Sequence, residues 1–317
     1  MAPRAPITVL VYHPDEAQRY AALVRPPRAG VTVRVAATPE AAAPIVGEAE
    51  VLYAWRFPPA LLAKAARLRW IQAAGAGVEW ALVPELPAGV TVTRAPGVFG
   101  PWMAEYVLGW CAWVTQRMAT YAEAKRHRRW LGAVIPRRLG GTTMAIVGLG
   151  DIGRDIARAA RALGIRVIGV TRGGRPVREA HRVYRATSLP RALGEADWVV
   201  VVLPLTPATR GLIAERELAA MRRSAWLVNI GRGPVVDEPA LVRALTERRI
   251  AGAVLDVFAT EPLPLAHPLW GLDNVVITPH IAGPSVPEEI AHVFNDNLTR
   301  YLAGRPLRHI VDRRRGY

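Results

Sequence analysis

The stretch from Thr142 to Arg172, T-T-M-A-I-V-G-L-G-D-I-G-R-D-I-A-R-A-A-R-A-L-G-I-R-V-I-G-V-T-R, constrains the fold more than any other part of the chain. Met144 to Val147 is a short apolar run suited to a buried strand. Gly148, Gly150 and Gly153 follow as G-x-G-x-x-G, with Leu149, Asp151 and Ile152 between them. Apolar residues then recur at helical spacing from Ile152 to Leu163, Gly164 ends that helix, and Ile165 to Val170 is a second, β-branched strand. Strand, glycine turn, helix and strand make a βαβ unit of the dinucleotide-binding kind. Its first glycine permits the tight turn, its second lets backbone approach a pyrophosphate, and its third lets helix lie close to strand. Phosphates then rest on the helix N-terminus, where unpaired N–H groups and the helix dipole favour an anion.

The end of the second strand selects the nucleotide. An NAD site carries Asp or Glu about 20 residues after the glycines, accepting from the ribose 2′-OH. Here Thr171 and Arg172 occupy that place, Arg175 is close behind, and no acid appears before Glu179. A guanidinium can clamp a 2′-phosphate that a carboxylate would repel. The expectation is therefore NADP(H) in preference to NAD(H), with NADH still possible.

At 317 residues the chain has room for two domains. Before the glycine turn, strands are expected at Ile7–Tyr12, Val31–Val35, Glu50–Ala54, Leu68–Gln72 and Val90–Thr93, with helical stretches through Val24 and over Pro58–Ala66. Ala95–Pro101 reads as a hinge, and Pro101 to about Ala124 as one long amphipathic helix. Later strands are expected at Trp198–Leu203, Trp226–Ile230, Ala251–Val257 and Val275–Thr278, with helices around 215–222, 239–248 and 288–302. Strands alternating with helices imply parallel sheets covered on both faces. The expected fold is α/β, two Rossmann-like, doubly wound parallel-sheet domains with a cleft between them. Residues 1–97 with 285–317 would form the substrate domain and 98–284 the dinucleotide-binding domain.

The formal net charge of +15 raises the question of nucleic acid. Its basic residues are almost all arginine, Lys64 and Lys125 being the lysines, and they are scattered without helix-turn-helix spacing, a zinc cluster or a stacking-aromatic motif. Nucleic-acid binding is not expected, and neither is a metal. No apolar run is long and charge-free enough to span a bilayer, and the N-terminal residues lack a signal-peptide pattern. Cys111 is the single cysteine, so no internal disulfide is possible and a cytoplasmic location is expected. The aromatic and basic region Pro101–Arg138 is read as a homodimer surface, with a solvated face as the alternative.

Ligands of open α/β sheets bind outside the carboxyl ends of the strands. Arg232, Glu261 and His280 each follow a late strand, and Asp256 lies within one. Leu203, Pro204 and Thr206, at the end of the strand over 198–203, and Ile230 and Gly231, at the end of the strand that Arg232 follows, are read as cofactor-binding. A cation, a carboxylate and an imidazole facing a nicotinamide suit hydride transfer to a carbonyl. His280 is the proton donor, since imidazole titrates near working pH. Glu261 can hold the far ring nitrogen, and Arg232 can grip a carboxylate or ketone oxygen with its planar fork.

These segments also carry a family resemblance over nearly the whole chain. G-A-G-V at 75–78, G-P-W-M-A-E-Y-V-L at 100–108, V-G-L-G-D-I-G at 147–153, L-P-L-T-P-A-T-R-G-L-I at 203–213, N-I-G-R-G at 229–233, L-D-V-F-A-T-E-P-L-P at 255–264 and T-P-H-I-A-G at 278–283 resemble the D-isomer-specific 2-hydroxyacid dehydrogenases. The resemblance implies Arg232 as substrate-orienting arginine, His280 as acid/base and Glu261 as its carboxylate partner. It implies that the Gly75, Ala76, Gly77 and Val78 loop binds the substrate carboxylate, and that Asp256 holds the nicotinamide amide. A-W-R-F-P-P at 54–59, V-T-R at 170–172 and the ending V-D-R-R-R-G-Y resemble more narrowly the glyoxylate/hydroxypyruvate reductase A group, which implies NADPH and small 2-oxoacids. Arg56 stands where that group has histidine, which bears on substrate preference, and Gly231 stands where alanine is commoner, read as a minor packing change. Trp55 and Arg56 either line the substrate side or cover a strand end. Two other functions stay open: a dehydrogenase of another acid such as lactate or phosphoglycerate, and a non-catalytic nicotinamide-sensing corepressor on the same scaffold.

Overall fold

A computed structural model describes residues 6–317; residues 1–5, assigned above to the first domain, lie outside the described residues. The chain divides into two compact units, one running up to Val98 and including Ser285–Tyr317, the other Phe99–Pro284.

The first unit begins with β1 (Ile7–Tyr12), α1 (Ala17–Ala22), β2 (Val31–Ala36), α2 (Pro39–Val46), β3 (Val51–Ala54), α3 (Pro59–Leu62), β4 (Trp70–Ala73) and β5 (Thr91–Thr93). Its five strands are parallel in the order β2-β1-β3-β4-β5. The order reverses between β1 and β3, so His13 and Trp55, just past those two strands, sit at the switch point of the sheet, where α/β ligands bind.

The second unit comprises α4 (Phe99–Thr115), α5 (Met118–Arg126), β6 (Thr143–Val147), α6 (Asp151–Ala162), β7 (Arg166–Thr171), β8 (Arg182–Arg185), α7 (Leu189–Gly194), β9 (Trp198–Val201), α8 (Glu215–Ala220), β10 (Trp226–Asn229), α9 (Glu238–Thr246), β11 (Gly252–Leu255) and β12 (Val275–Ile277). These seven strands are also parallel, ordered β12-β11-β10-β9-β6-β7-β8, and the order reverses between β6 and β9. Every residue of β6, β9 and β11 is buried. Burial on both faces is why these strands read as unbroken apolar runs and do not alternate. Full burial of a side chain such as Met144 or Ile146 stabilises by about 1.5–3 kcal/mol.

The chain ends by returning to the first unit through α10 (Pro287–Leu302). Phe294 stacks on Tyr53 with ring centroids 4.1 Å apart and on Trp70 at 5.3 Å. Asn297, fully buried, accepts from Arg308 N at 2.8 Å and donates to Arg308 O at 3.1 Å, so it ties the final segment to the helix. No helix among the described residues is long and apolar enough to cross a membrane.

Three sequence expectations change. The single helix from Pro101 to Ala124 is two helices, broken at Arg117, whose φ is 56°. The Thr115 hydroxyl bonds back to the Cys111 carbonyl at 3.0 Å, and such back-bonding competes with the helical ladder. The strand ending at Leu203 stops at Val201, and the strand ending at Val257 stops at Leu255, so Asp256 is the first residue past its strand. The sequence reading also passed over α2, β8 and α7. In β8 only Tyr184 is buried, and its flanking arginines are exposed, a pattern of an edge strand with too few apolar residues to show periodicity.

Candidate active site

One row of paired residues sets the geometry of the second unit's sheet edge. Val147 pairs with Val170 and Val201, Val201 with Asn229, Asn229 with Leu255, and Leu255 with Ile277. The turns beginning at Gly148, Val202, Ile230, Asp256 and Thr278 therefore leave the sheet at one level, on strands spaced about 4.8 Å apart. That register brings chemistry from distant sequence to one edge.

The glycine turn fits a pyrophosphate. Gly148 has φ 111°, where an L side chain is strained, and a Cβ there would lie 2.6 Å from Val202 O. A Cβ on Gly153 would lie 2.0 Å from Gly148 O, so the start of α6 can pack on β6 only without one. A Cβ on Gly150, by contrast, would meet nothing within 4 Å, so this backbone faces open space. Gly150 is also the N-cap of α6, and no side chain caps its orphan N–H groups, which leaves donors for an anion. The Leu149 side chain is buried against Gly169, so only its backbone is presented, and Ile230 is likewise buried. Asp151 and Ile152 open α6, with Asp151 exposed.

At the end of β7 the Thr171 hydroxyl accepts from Gly174 N at 3.0 Å, closing a small turn, with Arg172 and Arg175 exposed. Glu179 is buried and ion-paired to Arg178 at 3.7 Å. Arg185, which the sequence reading passed over, pairs in register with Thr171, and its side chain covers Gly174. Past β9, Thr209 Oγ1 accepts from Thr206 N at 2.8 Å and donates to Pro204 O at 2.7 Å, so the segment from Leu203 to Thr206 is held as a compact turn.

Past β10, Asn229, 1% exposed, accepts from Gly231 N at 3.2 Å and donates to Arg232 O at 3.3 Å, bracing the G-R-G turn. The half-buried Arg232 donates to Gly231 O at 2.7 Å. A Cβ on Gly231 would lie 2.7 Å from Leu203 O and 2.8 Å from Leu203 N, both backbone atoms. An alanine here is therefore no minor packing change in this chain, because the neighbouring turn would have to move.

Past β11 and β12, His280 Nδ1 and Glu261 Oε2 are 2.8 Å apart. Glu261 Oε1 accepts from Phe258 N at 3.0 Å, which fixes the carboxylate. A carboxylate only accepts, so Nδ1 carries the proton and Nε2 is the nitrogen turned to other partners. His280 itself has φ 56°, a left-handed conformation uncommon for a residue with a side chain. Its N–H donates to Asp256 O at 2.9 Å, and the Asp256 carboxylate accepts from Ile281 N at 2.8 Å and Ala282 N at 2.9 Å. Asp256 is 1% exposed. Glu238 and His267, also passed over in the sequence, brace the Glu261 loop: Glu238 accepts from Ala259 N at 3.0 Å and meets His267 Nε2 at 3.1 Å.

In the first unit, the Trp55 ring lies against Gly75, where a Cβ would be 3.1 Å from the indole, and the Arg56 guanidinium stacks 4.8 Å over that ring. Trp55 and Arg56 thus pack beside the Gly75–Val78 turn, in which Ala76 is exposed and Val78 buried. His13, absent from the sequence reading, lies 5.7 Å from Trp55 and stacks on Tyr20. Its Nδ1 accepts from Asp15 N at 3.2 Å and Glu16 N at 3.1 Å, and burial holds its pKa below the ordinary value. H-P at 13–14 after a strand was the signal available for it.

Residues 109–282 match the D-isomer specific 2-hydroxyacid dehydrogenase, NAD binding domain. The chain is 32% identical over 276 residues to the glyoxylate/hydroxypyruvate reductase A of Serratia proteamaculans, covering 85% of this chain and 88% of that one. It superposes with a TM-score of 0.89, at 34% identity over 99% of its length and 100% of the other, on a D-isomer specific 2-hydroxyacid dehydrogenase of Xanthobacter autotrophicus Py2 in complex with NADPH and MES. An NADPH-dependent glyoxylate/hydroxypyruvate reductase of Sinorhizobium meliloti, in complex with NADP and sulfate, gives 0.88 at 30% identity, covering 99% and 100%. A nucleotide turn, an imidazole–carboxylate pair and a matching two-unit fold place the chain in the D-isomer specific 2-hydroxyacid dehydrogenase family.

Proposed function

We propose that this oxidoreductase is an NADPH-preferring reductase of small 2-oxoacids, glyoxylate or hydroxypyruvate, that forms the corresponding D-2-hydroxyacids. The observation that carries the reading is the 2.8 Å pair of His280 and Glu261 on the same sheet edge as the glycine turn. The nicotinamide, when bound, supplies the hydride that reaches the ketone carbon. His280 delivers the proton from Nε2 to the ketone oxygen and is reprotonated from solvent. Glu261 keeps the ring oriented and stabilises the imidazolium before it gives up that proton. Arg232 polarises the ketone or holds the carboxylate, and the N–H groups of the Gly75–Val78 turn take the carboxylate, with Trp55 and Arg56 beside it.

Gly148, Gly150 and the first turn of α6 would hold the pyrophosphate, with Leu149, Asp151 and Ile152 contributing backbone. Thr171, Arg172 and Arg175 would hold the 2′-phosphate, and no acid other than the buried, paired Glu179 follows within this turn. Leu203, Pro204, Thr206, Ile230 and Gly231 would line the nicotinamide side. A carboxylate has about four lone-pair positions. The protein N–H and O–H groups described here leave Asp256 Oδ2 able to take one more donor, the nicotinamide amide. The relatives named for glyoxylate and hydroxypyruvate support the substrate class. The exposed rings Trp102 and Trp130 and the exposed Ile135 support a homodimer formed through the Pro101–Arg138 region.

The test is NADPH oxidation against a panel of 2-oxoacids including glyoxylate, hydroxypyruvate, pyruvate and 3-phosphohydroxypyruvate. Turnover fastest with the two small acids is expected. No NADPH oxidation with any of them would leave the corepressor reading standing in its place.

A further inference from the structure

The turn that carries His280 is held by a chain of side chains that reaches back to α4. Tyr106 Oη lies 2.6 Å from Thr278 Oγ1, and Thr278 Oγ1 lies 2.6 Å from Asp256 Oδ1. We propose that Tyr106 and Thr278 are positioning residues for His280, acting through a one-way hydrogen-bond relay that ends on the Asp256 carboxylate. The proposal rests on the reading of His280 as the proton donor.

The direction of the relay follows from hydrogen-bond inventory. The Asp256 carboxylate can only accept, so the Thr278 hydroxyl must spend its single proton on Oδ1. Thr278 Oγ1 then offers only lone pairs to Tyr106, and the phenol donates. Burial pushes the Tyr106 pKa above its ordinary value, so the phenol keeps its proton at any working pH.

Orientation of Asp256 is what the relay supplies. The terminal torsion of an aspartate is broad and fixes little by itself. With Thr278 on Oδ1, the two carboxylate oxygens are turned so that Oδ1 also receives Ile281 N and Oδ2 receives Ala282 N. These N–H groups belong to the two residues after His280, while Asp256 O takes the N–H of His280 itself. A left-handed residue with a side chain is strained and persists only where its surroundings over-determine it. The contacts that over-determine this one converge on Asp256. Loosening the relay lets the His280 backbone relax, and the ring then spends less time where Nε2 meets the ketone oxygen.

The variants Tyr106→Phe, Thr278→Val and Thr278→Ser in the full-length enzyme test this. Two measurements are made on each: NADPH-dependent glyoxylate reduction in H2O and in D2O, and amide hydrogen exchange of the peptide spanning 276–284, with a β6 peptide as control. Tyr106→Phe and Thr278→Val should lower kcat roughly ten- to hundredfold, leave KM for glyoxylate within about threefold, and raise the solvent isotope effect. Exchange at 276–284 should quicken while β6 stays protected. Thr278→Ser, which keeps the hydroxyl, should restore both. A Tyr106→Phe enzyme with kcat within about twofold of the wild type, or a Thr278→Ser variant no better than Thr278→Val, overturns the relay. So does unchanged exchange at 276–284. Should Thr278→Val fail to fold, Tyr106→Phe alone decides. Should the wild type reduce no 2-oxoacid, the functional reading falls, and the exchange measurement still judges the relay.

Discussion

Replacing Glu261 by glutamine separates the two tasks of its carboxylate. One oxygen accepts from Phe258 N at 3.0 Å and the other meets His280 Nδ1 at 2.8 Å. A glutamine offers one acceptor oxygen and one NH2 donor in their place. If its oxygen stays on Phe258 N, the NH2 faces His280 Nδ1, and an imidazolium would place donor against donor. If the amide flips, His280 keeps its partner and Phe258 N loses one. A contact is lost either way. Hydrogen bonds to charged groups contribute about 1.5–3 kcal/mol net. The His280 and Glu261 side chains are 35% and 31% exposed, so solvent screening places this pair in the lower part of that range, about 1.5–2 kcal/mol. At about 1.4 kcal/mol per factor of ten, kcat/KM for glyoxylate should fall roughly 10- to 30-fold.

The assay is steady-state NADPH oxidation by wild type, Glu261→Gln and Glu261→Asp, with NADPH affinity read separately by quenching of protein fluorescence. The loss should sit in kcat, with NADPH affinity unchanged, because Glu261 acts on the proton donor and not on the nucleotide. The same loss should appear in oxidation of the hydroxyacid, since the proton returns through the same nitrogen. A Glu261→Gln enzyme within about threefold of wild type would refute the pair as a catalytic device. A loss beyond about a thousandfold would refute the screening argument, since that is the behaviour of a dry, fully coupled pair.

Arg172→Asp places a carboxylate where a 2′-phosphate is proposed. NADPH kcat/KM should fall about ten- to a hundredfold, with NADH gaining relative to it, and an unchanged cofactor ratio would remove Arg172 from nucleotide selection. Gly231→Ala drives a Cβ to 2.7 Å from Leu203 O, which should cost about 1–3 kcal/mol in chemical denaturation and weaken NADPH binding. Unaltered stability would show that the Leu203 turn yields freely. His13 has a pKa held below 6.5, chiefly by burial, with Glu16 and Asp15 opposing. The unfolded chain therefore binds more protons as pH falls through that value, and the stability His13 contributes is fully present above it and is lost below it. His13→Gln should make the thermal midpoint less sensitive to pH between roughly 7 and 5, and an equal slope in both proteins would show that His13 is not the titrating group.

Much of the second unit was legible because its signals are local. The glycine turn occupies Gly148–Gly153, and the steric duties of Gly148 and Gly153 depend on neighbours within one βαβ unit or just past the adjacent strand. Glu261 and His280 were legible for a related reason: each follows a strand, and parallel register brings strand ends to one level. The break at Arg117 was hidden because Thr115 and Arg117 are as compatible with a helix interior as with an end, and only the left-handed backbone at Arg117 tells them apart. Strand β8 was hidden because an edge strand with one buried side chain carries no periodicity. His13 was hidden because its partner ring, Trp55, is distant in sequence and is brought near by the strand order β1-β3.

Identity and orientation are recorded differently in such a chain. The motif T-P-H-I-A-G states that an imidazole follows β12, and its six letters suffice for that. They do not state that the backbone at His280 has φ 56°, because the one local contact of its N–H, to Thr278 O at 3.1 Å, is shared with a shorter one to Asp256 O at 2.9 Å. The force comes from Asp256, 24 positions earlier by its number, and from Tyr106, separated by 172 positions from the threonine it touches. A hydroxyl at each of these points also looks inert in sequence, since tyrosine in a helix and threonine at a strand end are each explained by packing alone. Only their spacing of 2.6 Å, and the acceptor-only chemistry of the carboxylate at the end, turns three unremarkable residues into a directed chain. The placing of the proton donor therefore belongs to the tertiary structure even where its identity belongs to the motif.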